Sequence, residues 1–375
     1  MATLPVTTIT YQNEILQPKI LAGWAKLFKS SQWTSGEATT QFEAGFAKLC
    51  QVPYGVAVNS GTMSLWATLK ALNLKAGDEV ITTPMTFSAT ADAIALVGAT
   101  PVFADVDPMT GNLDPVKAAA KITPKTKAIL VVHLYGVPVA IAEFVKLAKA
   151  HQLFLIEDAS HAHGATVAGK SVGSFGVAGC FSLYPSKTLG ALGNGGVVVT
   201  KSKLLAQKIR RSAHHGIISA YKHESIGLNG LMDNLQAVVL NLKLNFLNDW
   251  LKRKRAIAQS YNQALMAVGG LGMPVPLQIQ AGYYTYAIRV GARARFMAWC
   301  KERGVETKIY YPIPLHLQPS YKWLGYRKGD FPAAEMFAKH TVSLPLFPEM
   351  TNDQVKKVIK VIQGFFKLKL AGKNN

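Results

Sequence analysis

Residues 178–196 read AGCFSLYPSKTLGALGNGG, an apolar run followed by a lysine and a glycine-rich turn. The first part, residues 178–182, predicts a β-strand, and Lys187 lies in the turn that follows it. Because a lysine amine forms imines with aldehydes once desolvation lowers its pKa, Lys187 is a candidate catalytic group. Taken alone, it is more typical of an exposed surface lysine. The segments around it decide between these interpretations.

The chain on either side of Lys187 alternates between strand-like and helix-like patterns from about residue 42 to residue 205. Such alternation is typical of a parallel sheet covered by helices, so we expect an α/β fold. Short β-branched runs bounded by Gly, Pro or Asp predict six strands, at residues 79–82, 101–105, 128–133, 154–157, 178–182 and 196–200.

A second, smaller region is predicted toward the C-terminus. A helical pattern at about 232–265 leaves the sheet layer. The segments predicted to build a smaller α+β region are 283–290, 297–303 and 354–366. We therefore expect a large domain at residues 10–245 and a small C-terminal domain at residues 246–375.

The composition is that of a globular protein, since 375 residues with 49% hydrophobic content bury a large core. The first residues show no basic region followed by an apolar run, so no signal peptide is predicted. The longest apolar region, about 128–145, is interrupted by His, Gly, Pro and Glu, which argues against a membrane span. Cys50, Cys180 and Cys300 lie far apart and have no metal-ligand spacing, so a reducing, cytoplasmic location is expected.

The formal net charge of +20 is unusual for a metabolic enzyme and raises nucleic-acid binding as an alternative. The basic residues concentrate at 201–211 and 252–255, in segments that also carry apolar residues at helical spacing. We interpret both stretches as solvated helix faces, which makes a nucleic-acid partner the less favoured interpretation. The surplus charge also favours anionic substrates such as nucleotide diphosphates.

A carboxylate ends the apolar strand predicted at 154–157. Asp158 stands at the carboxyl end of that strand, where parallel sheets build their sites. There it is able to pair with the protonated ring nitrogen of pyridoxal phosphate, which keeps the ring an electron sink. A turn or helix-cap aspartate is the alternative. His161 and His163 follow at alternate positions, but no third ligand lies at a typical spacing, so a metal site is not favoured.

A phosphate site is indicated by residues 59–62, which precede an amphipathic helix. Backbone N–H groups at a helix start and the hydroxyl of Thr62 favour an anion, although an ordinary Ser or Thr N-cap explains the same pattern. Ser182, five residues before Lys187, adds a second hydroxyl. Phe87 follows a strand end and either stacks on a cofactor ring or belongs to the core.

The motifs in their order are Ser60-Gly-Thr62, Gly77-Asp-Glu-Val-Ile81, Thr86-Phe87-Ser-Ala-Thr90, Val132-His-Leu-Tyr-Gly136, Glu157-Asp158-Ala, His163-Gly164, Phe181-Ser182, Lys187, Gly195-Gly196, Gly227-Leu-Asn229, His316-Leu-Gln-Pro319 and Ser343-Leu-Pro345. Together they resemble the DegT/StrS-type sugar aminotransferases over about residues 10–365. The resemblance implies a fold-type-I architecture with a large, mostly parallel seven-stranded sheet. It also implies a homodimer with active sites at the subunit interface, and pyridoxal 5′-phosphate that cycles through pyridoxamine 5′-phosphate.

The resemblance assigns roles to individual positions. Lys187 is similar to the lysine that holds the cofactor as a Schiff base, and Asp158 is similar to the partner of the pyridinium nitrogen. Phe87 resembles the aromatic residue that stacks on the ring. The positions that resemble phosphate ligands are Gly61, Thr62, Ser182 and, from the second subunit, Asn229.

Three positions depart from the family pattern. His161 stands where many members have Gln, at a position similar to the one that contacts the cofactor's phenolic oxygen. A neutral imidazole still donates one hydrogen bond, so we expect His161 to bind the cofactor. Leu231 stands where the family usually has an arginine, which puts in doubt any charged contact made there. Asn194 replaces a usual glutamate, which leaves the loop before Gly195 and Gly196 less acidic.

The activity implied by the resemblance is transfer of the amino group of L-glutamate to a nucleotide-linked keto-sugar. Residues 310–319 resemble the segment of members that aminate C3 of 3-keto hexoses, which makes Tyr311 and His316 candidate substrate contacts; structural roles are the alternative. A 4-keto nucleotide sugar or a keto-cyclitol is the next expectation. A deoxysugar dehydratase, which has histidine at the position of Lys187, and a nucleic-acid-binding regulator are less favoured.

Overall fold

The computed structural model describes residues 3–268, 271–272 and 275–371. The helices are α1 Thr10–Ser30, α2 Glu37–Leu49, α3 Gly61–Ala71, α4 Ala89–Leu96, α5 Pro115–Ala119, α6 Ile141–Ala150, α7 Lys203–Ser212, α8 Asn234–Leu244, α9 Leu247–Met266, α10 Arg293–Glu302, α11 Pro332–His340 and α12 Asn352–Ala371. The strands are β1 Tyr54–Val58, β2 Glu79–Thr82, β3 Thr100–Phe103, β4 Thr126–Val132, β5 Phe154–Asp158, β6 Thr166–Val167, β7 Lys170–Ser171, β8 Ala178–Ser182, β9 Gly196–Thr200, β10 Ile217–Ser219, β11 Lys222–His223, β12 Leu271–Gly272, β13 Ile279–Gln280, β14 Tyr286–Arg289 and β15 Thr341–Leu344.

Seven strands form the central sheet, in the order β1-β9-β8-β5-β4-β2-β3. The pairs from β8 to β3 are parallel, while β9 runs antiparallel to both of its neighbours. The α/β fold class with a mostly parallel seven-stranded sheet is therefore confirmed. All six strands predicted from the sequence belong to this sheet, with ends that differ by at most two residues.

The seventh strand, β1, escaped the sequence pattern. It has five residues and contains Gly55, and a glycine inside a strand weakens the strand signal. The glycine is required by packing, since a Cβ at residue 55 would lie 2.6 Å from the carbonyl oxygen of Glu43 on α2. The same close approach that seats β1 against α2 therefore hides the strand in the sequence.

Both faces of the sheet are covered, as β4 illustrates. Its side chains at 128, 130 and 132 pack in one apolar cluster with Leu65 of α3. The intervening Ile129 and Val131 pack in another cluster with Phe144 of α6. Because successive side chains of a strand point to opposite faces, a strand buried on both faces reads as the continuous apolar run seen here.

The C-terminal part of the chain forms a smaller layer around the sheet β12-β14-β15. Residues near the N-terminus join it: Leu4 bridges Val305, and the carbonyl of Val6 accepts a hydrogen bond from the backbone N–H of Leu346 at 3.0 Å. The division into domains at 10–245 and 246–375 stays a prediction, and these contacts show that its C-terminal unit also binds residues preceding residue 10.

Two expectations need correction. The single helix predicted at 232–265 is two helices, α8 and α9, which are separated by Asn245 and Phe246. At this break the Phe246 ring stacks on that of Trp250, with ring centroids 5.9 Å apart. The basic stretch 252–255 is not a fully solvated face, since Lys254 is 4% exposed. Across the described residues, none of the helices has the length and hydropathy needed to cross a bilayer.

Candidate active site

A cavity of about 620 Å³ opens at the carboxyl edge of the central sheet. Val132, Asp158 and Ser182 are the last residues of the adjacent strands β4, β5 and β8, and all three line it. Eight of the residues predicted for the site meet in this one cavity, namely Gly61, Thr62, Phe87, Asp158, His161, Ser182, Lys187 and Tyr311. The common strand polarity of a parallel sheet thus gathers segments that lie far apart in sequence.

The two carboxylates that end β5 face opposite sides of the sheet. Glu157 is fully buried, and its oxygens accept hydrogen bonds at 2.8 Å from the backbone N–H groups of Gly173, Phe175 and Gly176. Asp158 points into the cavity instead. Strand alternation therefore makes Glu157 a structural residue and leaves Asp158 as the carboxylate of the site.

Asp158 is held by hydrogen bonds on both oxygens. Oδ1 accepts from the backbone N–H of Ser160 at 3.1 Å, and Oδ2 accepts from the hydroxyl of Thr90 at 2.8 Å. The Thr90 hydroxyl lies 2.9 Å from that of Thr86. Since Thr90 gives its proton to the carboxylate, Thr86 is the donor in this second contact, and the chain of hydroxyls fixes the orientation of Asp158.

Lys187 projects into the cavity from the turn after β8. Its Nζ lies 4.3 Å from the centroid of the Tyr284 ring, and the side chain is half-buried. Burial lowers the pKa of Lys187 to about 8, while the charge of Asp158 opposes the change. The amine therefore takes up and gives away a proton close to neutral pH, as a general acid and base must.

His161 is stacked on the ring of the same tyrosine, with ring centroids 4.3 Å apart and planes at 17°. Its Nδ1 accepts the backbone N–H of Tyr135 at 3.2 Å, so the ring proton is on Nε2. Burial lowers the pKa of His161 well below 6.5, with further contributions from Lys187 and His163. The residue is thus a neutral imidazole whose Nε2–H faces the cavity, 3.5 Å from the Tyr311 hydroxyl.

The predicted phosphate site is a helix start pressed against a strand end. Helix α3 begins at Gly61, and the Ser60 hydroxyl caps it by accepting from the Met63 backbone N–H at 3.1 Å. A Cβ at Gly61 would lie 2.6 Å from the Cβ of Ser182, so only glycine lets the helix start approach β8. With the Met63 N–H bonded to Ser60, the N–H groups of Gly61 and Thr62, which precede the first intrahelical bond, are available to an anion.

The aromatic residues of the cavity come from both layers. Phe87 is 59% exposed on the cavity wall, with its ring centroid 5.9 Å from that of Tyr311. Burial raises the pKa of Tyr311 well above 10, so its phenol is neutral. A planar ring placed in the cavity thus meets an aromatic face that is otherwise exposed to water.

Two of the predicted residues do not line this cavity. Asn229 is exposed on the segment that follows the β10-β11 hairpin, where its carbonyl accepts from Asn59 Nδ2 at 3.2 Å. His316 is buried in the smaller layer, with Nε2 3.0 Å from Glu335 Oε1 and its ring 4.7 Å from that of Phe331. These contacts give His316 the structural position that was the alternative to a substrate contact.

Sequence reasoning missed two residues that line the cavity, Tyr284 and Thr90, and a buried lysine near it. Tyr284 was assigned only to the segment 283–290 of the smaller region, because a strand pattern does not tell which tyrosine points to a site. Thr90 belonged to a recognised motif without a role. The buried Lys254 donates to the Thr188 hydroxyl at 3.1 Å, beside Lys187, although its basic neighbours indicated a solvated face. Only tertiary contacts reveal these three.

The cavity fits pyridoxal phosphate. A carboxylate and a lysine amine face one space, and a cradle of backbone N–H groups, which a Cβ at Gly61 would fill, lies at the same sheet edge. The two histidines have separate surroundings, since His163 packs against the rings of Phe46 and Phe181. Within the ranges that the structure covers, no group of three or more His, Cys, Asp or Glu side chains could hold a metal ion.

Known proteins that resemble this chain include sugar aminotransferases. The chain is 39% identical over 367 residues to a pleiotropic regulatory protein of Geobacillus stearothermophilus, with 97% of this chain and 99% of that protein covered. It is 38% identical to the UDP-N-acetyl-3-dehydro-alpha-D-glucosamine 3-aminotransferase of Acidithiobacillus ferrooxidans, with coverage of 96% and 97%. The crystal structure of S. venezuelae DesV in complex with a ketimine intermediate superposes with a TM-score of 0.95, at 34% identity and coverage of 98% and 99%.

The pattern that defines the DegT/DnrJ/EryC1/StrS aminotransferases matches residues 15–363, almost the full length of the chain. The expected cofactor and enzyme class are confirmed with it, because the enzymes of this family depend on pyridoxal phosphate. This protein belongs to the DegT/DnrJ/EryC1/StrS aminotransferase family.

Proposed function

We propose that this enzyme transfers the amino group of L-glutamate to C3 of a nucleotide-linked 3-keto hexose in amino-sugar biosynthesis. The observation that carries the proposal is the meeting of Lys187 and Asp158 in one cavity with a phosphate cradle. The relative from A. ferrooxidans, which is named as a 3-aminotransferase of a UDP-linked sugar, supports the choice of substrate and position. A 4-keto nucleotide sugar or a keto-cyclitol is the alternative acceptor.

Lys187 Nζ is the group that moves the proton. When bound, pyridoxal phosphate supplies an electron sink and carries the amino group between the two substrates. Lys187 would take the proton from the Cα of glutamate and return it to the C4′ carbon of the cofactor, and it would move a proton from C4′ to the sugar carbon when the keto-sugar is aminated. An amine with a pKa of about 8 suits both directions near neutral pH.

Asp158, His161 and Phe87 orient the ring. The Asp158 carboxylate, fixed by Thr90 and Ser160, stabilises a proton on the ring nitrogen. His161 donates from Nε2 toward the phenolic oxygen, in place of the amide donor that is usual in the family. Phe87 covers one ring face. The phosphate is held by Gly61, Thr62 and Ser182.

The proposed assembly is a homodimer in which Asn229 completes the phosphate site of the partner subunit. Asn229 is exposed and outside its own cavity, as such a role requires. The hairpin before it and the segment that follows the hairpin present apolar side chains to solvent, with Tyr221 98% and Ile226 83% exposed. Burial of these side chains against a second copy favours association. A cytoplasmic location remains part of the proposal.

A panel of keto-sugar nucleotides tests the function. The holoenzyme is incubated with L-glutamate and one acceptor at a time, either a 3-keto or 4-keto sugar linked to UDP or dTDP or a keto-cyclitol. The 2-oxoglutarate and the aminated product are measured by mass spectrometry. We expect the 3-keto hexoses to react fastest, and Lys187→Ala to be inactive. Preference for a 4-keto sugar or a keto-cyclitol would overturn the assignment of C3, and no reaction with any keto-sugar would overturn the proposed function.

A further inference from the structure

A second cation faces the cavity from the smaller layer. Lys187 and Lys308 are the two Lys or Arg side chains among the described residues that line it. Lys187 comes from the central sheet, whereas Lys308 comes from the opposite wall, together with Tyr310 and Tyr311. The phosphate cradle at Gly61 belongs to the central layer. Lys308 is thus a cation of the site that the proposed mechanism does not use.

The backbone of Lys308 is fixed in place. Its N–H donates to the carbonyl of Ser343 at 3.2 Å, and its carbonyl accepts from the N–H of Ser343 at 2.7 Å, which adds an antiparallel bridge beside β15. The position from which the side chain enters the cavity is therefore set by the sheet of the smaller layer. A fixed backbone below a flexible stem keeps the ammonium group within reach of this wall of the cavity.

The ammonium group itself is only weakly engaged. Its Nζ lies 3.7 Å from Glu306 Oε1, and the two side chains are 45% and 37% exposed. An exposed pair at this distance stabilises the fold little. Glu306 has a separate role, because its Oε2 accepts the backbone N–H of Val6 at 2.9 Å. Lys308 is consequently able to exchange Glu306 for an incoming anion without loss of structure.

The charge balance of the cavity calls for such an anion. Asp158 is the carboxylate that lines it within the described ranges, and both of its oxygens are already bonded to Thr90 and Ser160. His161 is neutral for the reasons given above. A cation at the wall of a cleft that has no free carboxylate attracts the anionic groups of a ligand.

We propose that Lys308 binds an anionic oxygen group of the substrates, a carboxylate of the amino donor or a phosphate of the sugar nucleotide, and thereby determines substrate affinity. The inference rests on the proposed function for the identity of these substrates. Because donor and acceptor occupy the same site in turn, Lys308 serves either one or both. It acts in binding and leaves the proton transfer to Lys187.

The test compares Lys308→Met and Lys308→Arg with the wild-type holoenzyme. The two half-reactions are followed separately, glutamate with the pyridoxal form and the keto-sugar nucleotide with the pyridoxamine form. Binding of UDP, dTDP and the unreactive 2-methylglutamate is measured in parallel by calorimetry. Lys322→Met is the matched control, since Lys322 is an exposed lysine of the same layer that does not line the cavity.

We expect Lys308→Met to weaken binding of at least one ligand about 10-fold or more, as for loss of a hydrogen bond to a charged group, with kcat nearly unchanged. Arg should restore most of the affinity. The ligand that is affected identifies the source of the anion. Unchanged affinity for all three ligands, or a fall in kcat alone, overturns the proposal. The glutamate half-reaction and calorimetry remain readable even if no keto-sugar is accepted, so failure of the two proposals is distinguishable.

Discussion

The amine of Lys187 and the ring of Tyr284 form a cation-π contact, with Nζ 4.3 Å from the ring centroid. His161 contacts the same ring without a charge, because its neutral imidazole stacks on Tyr284. One tyrosine from the smaller layer therefore touches both the proton-carrying lysine and the hydrogen-bond donor of the central layer. The Tyr284 carbonyl in turn lies 3.5 Å from Lys254 Nζ.

Replacing Tyr284 with leucine should lower the pKa of Lys187. The negative face of the ring favours the ammonium form, so its loss favours the neutral amine, by less than about one pKa unit. The measurement is the pH dependence of trinitrobenzenesulfonate labelling at Lys187 in cofactor-free protein, read by peptide mass spectrometry. Tyr284→Phe, which keeps the ring and loses only the 3.3 Å contact to the Ser186 hydroxyl, should titrate like the wild type. A Leu variant with an unchanged titration would contradict the contact.

Thr90→Val should impair the enzyme through Asp158. The substitution removes the hydrogen bond to Oδ2 while preserving side-chain shape, and a bond to a carboxylate contributes about 1.5 to 3 kcal/mol, or roughly 10- to 100-fold in rate. Asp158→Asn should cost more, because the charge itself is lost. Both effects should also appear in the visible spectrum of the bound cofactor. Thr86→Val, which removes the hydroxyl one step further from Asp158, is the graded control and should have the smaller effect. A larger loss of activity in Thr86→Val than in Thr90→Val would refute the order of these hydrogen bonds.

His161→Gln should remain close to wild type, whereas His161→Ala should lose about 2- to 10-fold in kcat/KM, the cost of one neutral hydrogen bond. The imidazole is a neutral Nε2–H donor, and a glutamine amide donates in the same way. Because the pKa of His161 is well below 6.5, its protonation should leave no limb in the pH–rate profile between pH 6 and 8. A limb that disappears in His161→Gln would show that the residue titrates.

Mixing two inactive variants should restore activity if Asn229 serves the partner subunit. A dimer of one Lys187→Ala chain and one Asn229→Ala chain then has one intact site, so random exchange returns about a quarter of wild-type activity. If Asn229 acts within its own subunit, the mixture stays at the mean of the two variants. Subunit exchange is verified by native mass spectrometry with tags of different mass.

Lys254→Met should change how stability depends on pH. Burial lowers the pKa of Lys254 from 10.5 to about 7, so between these values the unfolded chain binds more protons than the folded one. The free energy of unfolding of the wild type should therefore rise with pH across this window, with Lys243, whose pKa burial lowers to about 8, contributing to the same rise. Denaturant titrations should show a smaller rise for Lys254→Met. Lys252→Met, an exposed residue of the same helix, should behave as wild type.

The sequence predicted the central sheet well because strands buried on both faces are continuous apolar runs with clear ends. It also predicted most of the cavity, since motifs at strand ends converge by topology. Gly55 shows where this reasoning stops: a residue chosen for close packing weakens the pattern of its own strand. Lys254 and Tyr284 show a second limit, because neither helical spacing nor strand alternation indicates which long side chain folds inward.

The antiparallel strand β9 has a consequence for biosynthesis. Among the described residues, β9 is the strand that joins β1 to the rest of the sheet, since Gly196 pairs with Val58 of β1 on one side and with Ser182 of β8 on the other. On the ribosome, β1 therefore emerges long before the strand that incorporates it, and contacts so distant in sequence form slowly. Nascent chains that end before residue 196 should present Tyr54–Val58 to chaperones and proteases, whereas chains extended beyond Thr200 and released from the exit tunnel should protect it.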